Sequence, residues 1–145
     1  IHHRAGDLYV ADVGQGAREE VTIVPTDGPG GDLGWYRLEG TECYEPSSGC
    51  STAGTITPIL EYTHAEGCSI TGGVVTPDGP ADVAGTYLYA DFCSGWVRSF
   101  RLEEGHPRFQ LPVASGLGRP TTFGIGADGE VYLGSANGRI WEIRP

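Results

Sequence analysis

Three stretches of this chain are variations on one theme, and that repetition limits the fold more than any other feature. The first is Gly6-Asp7-Leu8-Tyr9-Val10-Ala11-Asp12, followed after a loop by Val21-Thr22-Ile23-Val24. The second is Gly85-Thr86-Tyr87-Leu88-Tyr89-Ala90-Asp91, a short turn, then Trp96-Val97-Arg98-Ser99-Phe100. The third is Gly129-Glu130-Val131-Tyr132-Leu133-Gly134-Ser135, a turn, then Arg139-Ile140-Trp141-Glu142-Ile143. Each reads as a hairpin: a glycine entry, an aromatic-bearing strand, a polar turn and a second strand. Gly85 and Gly129 stand 44 residues apart, and Gly6 and Gly85 stand 79 apart with a Gly/Ser/Cys-rich insertion between them. A unit of several strands recurring every 40–50 residues or so is the signature of a β-propeller. A β-sandwich also spaces strands regularly, but its hairpins have no reason to resemble one another. The expectation is an all-β propeller.

A propeller blade has four antiparallel strands, the innermost first. Ser69-Ile70-Thr71-Gly72-Gly73-Val74-Val75 and Thr121-Thr122-Phe123-Gly124-Ile125-Gly126 precede the second and third hairpins. Their small residues suit the crowded innermost position. No such strand precedes the first hairpin, and the last unit stops after its third strand. The chain thus divides into an incomplete blade (1–25), a cysteine-containing insertion with outer strands (26–66), one blade (67–115) and a last incomplete blade (116–145). That makes about two and a half blades, where propellers have about 4–8. Closing the ring therefore calls for further N-terminal blades or for self-association.

Composition removes several functions. A net charge of −10 argues against nucleic acid, whose phosphates need a basic face, and against an anionic membrane surface. No apolar run approaches the roughly 20 residues of a spanning helix. All nine basic residues are arginine, so the chain has no lysine.

Four cysteines, Cys43, Cys50, Cys68 and Cys93, allow three pairings. They lack the paired spacing of a zinc site. In the blade arrangement Cys68 starts an innermost strand and Cys93 ends its antiparallel neighbour, so these two are expected to be bonded. Cys43 and Cys50 then close a small loop. Two disulfides imply an oxidising location: secreted, periplasmic or cell-surface.

Loops alternate between the two faces of a propeller. One face collects residues 14–20, 67–69, 92–95, 118–120 and 136–138, the glycine-rich and charged segments, around one mouth of the channel. Arg119, just before an innermost strand, is placed to meet an anionic ligand with a bidentate guanidinium. Glu19 and Glu20 are neighbours, so a strand there would point one inward and one outward. His64, close before Gly67-Cys68, is a possible pocket residue. No hydrolase, phosphate-loop or zinc-protease motif is present.

These motifs carry a resemblance. The segments are Asp12-Val13-Gly14-Gln15 with Glu19-Glu20-Val21, Gly34-Trp35, Glu39-Gly40, Cys43-Tyr44, Tyr62-Thr63-His64, 67–73, 85–95, Phe123-Gly124 and Asp128-Gly129-Glu130. Together they resemble the glucose/sorbosone dehydrogenase family of soluble quinoproteins, with hedgehog-interacting proteins as a related branch. The resemblance runs along almost all of the chain. It implies a six-bladed propeller with pyrroloquinoline quinone (PQQ) and calcium at one mouth. The backbone carbonyls of Gly14 and Gln15 would bind calcium, and Glu19 and Arg119 would be cofactor-binding. The implied reaction is hydride transfer from the C1 hydroxyl carbon of an aldose to the quinone, followed by transfer to an electron acceptor. The family's histidine base falls in earlier blades, so no catalytic residue is assigned here and the isolated chain is expected to be inactive. The better-known members also place a lysine on the quinone, which this chain lacks. The alternative is a non-catalytic secreted propeller that binds carbohydrate or protein.

Overall fold

The computed structural model describes residues 6–77 and 84–144. These form twelve strands and, among the described residues, no helix: β1 (Leu8–Asp12), β2 (Arg18–Val24), β3 (Leu38–Glu39), β4 (Glu42–Cys43), β5 (Leu60–Thr63), β6 (Ile70–Val75), β7 (Thr86–Asp91), β8 (Val97–Glu103), β9 (His106–Ala114), β10 (Pro120–Ile125), β11 (Val131–Ser135) and β12 (Ile140–Ile143). They make a three-stranded sheet β1-β2-β5, a four-stranded sheet β6-β7-β8-β9, a three-stranded sheet β10-β11-β12 and a small ribbon β3-β4. Neighbouring strands within each sheet are antiparallel. The middle sheet is a meander in chain order, and its first strand, β6, packs against both β1 and β10. The three larger sheets therefore stand side by side like the blades of a propeller.

Strand β7 shows why the repeat builds this arrangement. Side chains alternate across a strand. Tyr87 and Tyr89 point into one cluster with Val21, Leu60, Tyr62, Ile70 and Phe100, between the first and second sheets. Leu88 and Ala90 point into another, with Val97, Leu117, Val131, Leu133 and Ile143, between the second and third. The aromatic cluster is set by geometry as well as area: Tyr9 stacks on Tyr87 at 4.8 Å, and Tyr62 meets Trp96 edge-on at 5.1 Å. A fully buried side chain of this size contributes about 1.5–3 kcal/mol. The repeated aliphatic-aromatic strand is thus the element that glues each blade to the next.

Both disulfides form as the blade arrangement implied, Cys43–Cys50 and Cys68–Cys93. The start of β2 differs from the sequence reading. The strand begins at Arg18, three residues before Val21, because β5 pairs with its first half: Arg18 opposes Thr63 and Glu20 opposes Glu61. Glu19 and Glu20 therefore lie in a strand and, as successive residues, face opposite sides of the sheet. Both are buried, because β2 is the central strand of its sheet and is covered on both faces.

Candidate functional site at the loop end of the sheets

Buried carboxylates organise one end of the sheets. Glu19 is fully buried. One oxygen lies 2.8 Å from His64 Nε2, and the other accepts the Ile70 amide at 2.7 Å. It therefore ties β2 to the start of β6 and to the turn after β5. Burial pushes the Glu19 carboxyl above its usual range, and the Ile70 amide and His64 partly offset this. His64 is a third exposed or less, with its backbone amide on the Ala17 carbonyl at 3.0 Å.

Glu39 does the same for the loop after β1. Its Oε1 accepts the amides of Gly16 (2.8 Å), Ala17 (2.6 Å) and Arg18 (2.9 Å). Three successive amides converging on one oxygen form an anion-binding nest. Burial acts to raise this carboxyl, but the three donors outweigh it and hold it below the usual range. Gly14 lies so close to the Arg18 carbonyl and the Glu39 carboxylate that a Cβ there would collide with both. Only glycine lets the chain pass this point.

Glu20 is different. It is buried, yet its Oε2 has no hydrogen-bond partner. Burial first, then the charges of Asp12 and Glu61, push its pKa up to about 7. It lines a cavity of about 240 Å³ with Asp12, Gly14, Gln15, Trp35 and Glu39. This cavity holds the two residues assigned to calcium by resemblance. An orphaned carboxylate oxygen beside further carboxylates and a glycine loop is a donor set that suits a hard cation. No group of three acidic, histidine or cysteine side chains among the described residues is arranged to hold a metal alone. Backbone carbonyls would have to complete such a site.

Arg119 lies on the same end but in the last sheet. Its amide donates to Ser135 Oγ at 3.0 Å, and its exposed guanidinium sits 5.7 Å from the Phe92 ring. The adjacent Pro120 carbonyl accepts the Thr71 hydroxyl at 2.9 Å, which fastens β10 to β6. The cavity is lined by Gly14 and Gln15 but not by Arg119, Glu19 or His64, and the last two bond to each other. From the sequence, Glu20 stood out only as the neighbour of Glu19, and Glu39 only within the Glu39-Gly40 segment of the resemblance. The Glu39 role was not foreseen, because it lies 21–23 residues from its amides.

A second cavity, of about 540 Å³, is lined by apolar side chains including Leu88, Phe109, Leu111, Val113, Val131 and Ile143. It contains none of the predicted site residues.

No protein-family model matches the chain. A "HIPL1 protein" of Arabidopsis thaliana is 30% identical over 176 residues, covering 98% of this chain and 25% of the relative. Kelch-like protein 24a of Danio rerio is 30% identical over 103 residues, 70% of this chain and 16% of that protein. The chain thus spans a quarter or less of these relatives. Among solved structures, a glucose dehydrogenase superposes with a TM-score of 0.78 at 17% identity, over 100% of this chain and 43% of that one. The PQQ-bound aldose sugar dehydrogenase of Streptomyces coelicolor superposes with a TM-score of 0.71 at 20% identity, over 94% and 39%. The chain has the β-propeller fold of these sugar dehydrogenases, supplies a fraction of such a ring, and is similar in sequence to a HIPL1 protein.

Proposed function

We propose that this chain is the C-terminal part of an exported quinoprotein that oxidises the C1 hydroxyl of aldoses, with PQQ and calcium at the loop end of the sheets. The observation that carries the reading is the 240 Å³ cavity, where Gly14 and Gln15 meet a buried carboxylate oxygen with no partner. That arrangement fits a calcium ion held by the two backbone carbonyls and by Glu20. Bound quinone would supply the hydride acceptor. Arg119, exposed and bearing no carboxylate partner among the described residues, would pair with an anionic group of the cofactor. Glu19, in place of binding the cofactor directly, would hold His64 and the β6 start in position. The two disulfides agree with export.

The chain spans about two fifths of the two dehydrogenases, so activity is proposed for the longer protein and not for these 145 residues alone. The test is reconstitution of the full-length protein with PQQ and calcium. Dye reduction dependent on an aldose is expected, and the 145-residue chain should give none. No quinone absorbance change and no dye reduction by the full-length protein would overturn the proposal. The absence of lysine favours a second reading, a propeller that binds carbohydrate or protein without the quinone.

A further inference from the structure

The insertion between the first and second sheets carries the most exposed aromatic surface near the loop end. Trp35 is 59% exposed, Tyr36 58% and Tyr44 38%. Trp35 and Tyr44 stack at 5.2 Å with 29° between their planes. Leaving such rings in water is unfavourable unless something covers them. The backbone beneath them is fixed. Asp32 accepts the Gly34 amide at 2.8 Å, Gly34 accepts the amides of Arg37 and Leu38, and the Tyr44 amide donates to the Arg37 carbonyl at 2.9 Å. The Cys43–Cys50 bond closes the loop behind Tyr44. These rings are therefore held in place, and little entropy is lost when a ligand settles on them.

We propose that Trp35, Tyr36 and Tyr44 form a stacking platform for a pyranose ring of a neutral oligosaccharide. Tyr44 backs Trp35, and a flat, exposed ring offers its electron-rich face to the weakly positive C–H groups on the apolar face of a sugar. The rim is polar. Arg37 pairs with Asp32, and Arg18 pairs with Glu42 at 2.6 Å, so ionic groups that bond hydroxyls border the rings. That pairing neutralises the Asp32 and Glu42 carboxylates on the rim. The net charge of −10 disfavours an acidic polysaccharide. A protein partner would need about 800 Å² on each side, far more than three side chains present, whereas one or two sugar rings match them. Trp35 also lines the 240 Å³ cavity, so a saccharide on the platform would run beside it.

The platform requires neither quinone nor redox chemistry, so its test is separate from that of the proposed oxidation. Cellohexaose and maltohexaose are titrated into the full chain without quinone. The chain has three tryptophans, and the indole N–H resonance absent from Trp35→Phe marks this site. That resonance should move with at least one hexasaccharide, with a Kd in the millimolar range or tighter. Calorimetry should find binding weakened about tenfold or more in Trp35→Ala and Tyr44→Ala, retained in Trp35→Phe, and unchanged in Phe109→Ala. Binding should persist at high salt. No shift with either sugar up to about 10 mM would overturn the proposal. So would undiminished binding by a folded Trp35→Ala, or a shift produced only by a lysine-rich peptide and lost in salt.

Discussion

Two buried carboxylates at the same end of the sheets have opposite surroundings. Asp91, at the end of β7, is fully buried and fully satisfied. Its Oδ2 accepts the Tyr62 hydroxyl and the Ser69 amide, both at 2.9 Å. Its Oδ1 accepts the amides of Cys93 at 2.9 Å and Ser94 at 2.7 Å. Glu20 is almost as buried, and one of its oxygens has no partner. A buried carboxylate costs free energy unless donors surround it. Asp91 meets that condition within the chain and knots three segments together, with Gly67 so close that a Cβ there would strike the carboxylate. Glu20 does not meet it and opens instead onto a cavity that also contains Asp12 and Glu39. The first is a structural group. The second carries an unmet charge whenever it is ionised, and burial pushes its pKa up to about 7.

The sharpest way to break this contrast is to remove the satisfied group. Asp91→Ala strands a tyrosine hydroxyl and three amides, and should cost about 4 kcal/mol in denaturant unfolding. Tyr62 is the most affected partner, since burial, and then the Asp91 charge, push its hydroxyl far above the usual range for tyrosine. Glu39→Gln should come next, at about 3 kcal/mol, because one neutral oxygen replaces a charged acceptor for three amides. This loss should depend on pH. The Glu39 carboxyl is held below its ordinary value in the folded chain. The folded state therefore binds fewer protons than the unfolded one on the acid side. The stabilisation is fully present above the unfolded carboxylate range and disappears as pH falls through the folded-state pKa. Unfolding curves of wild type and Glu39→Gln should converge in acid. A constant gap at all pH values would show that the nest does not depend on charge.

How much of this was legible in the sequence depends on how far apart the partners lie along the chain. The hairpins were readable because each is local, and β7 carries its own alternation of tyrosines against aliphatic residues. The disulfides followed once Cys68 and Cys93 were placed at adjacent ends of neighbouring strands. Glu19 and Glu20 were noticed together, but that both are buried was not visible in the sequence. What covers them comes from β5, β6 and the 33–40 loop, brought in by the long insertion. The Glu39 nest was invisible for the same reason: its donors are ordinary backbone amides of residues with no chemical signature. The aromatic platform was hidden in the insertion, where Trp35 registered only as part of a family motif. Exposure, which makes it a candidate site, is a property of the fold and not of the residue type.

The smallest predicted effect is the one that bears on function. Glu20→Gln removes an uncompensated charge and keeps the shape of the side chain. In the absence of divalent cations it should stabilise the chain by about 2 kcal/mol near neutral pH, opposite in sign to both other substitutions. Addition of about 1 mM calcium should raise the Tm of the wild type, because a ligand bound only by the folded state shifts unfolding by mass action. The same addition should leave Glu20→Gln unmoved, since the anionic donor is gone. Magnesium should do less, as it gives up its water reluctantly and demands stricter geometry than a loop of backbone carbonyls offers. A Glu20→Gln chain that is destabilised, or that still responds fully to calcium, would place Glu20 with Asp91 as a structural carboxylate. The calcium assignment at Gly14 and Gln15 would then lose the carboxylate oxygen left without a partner, the donor that carries it.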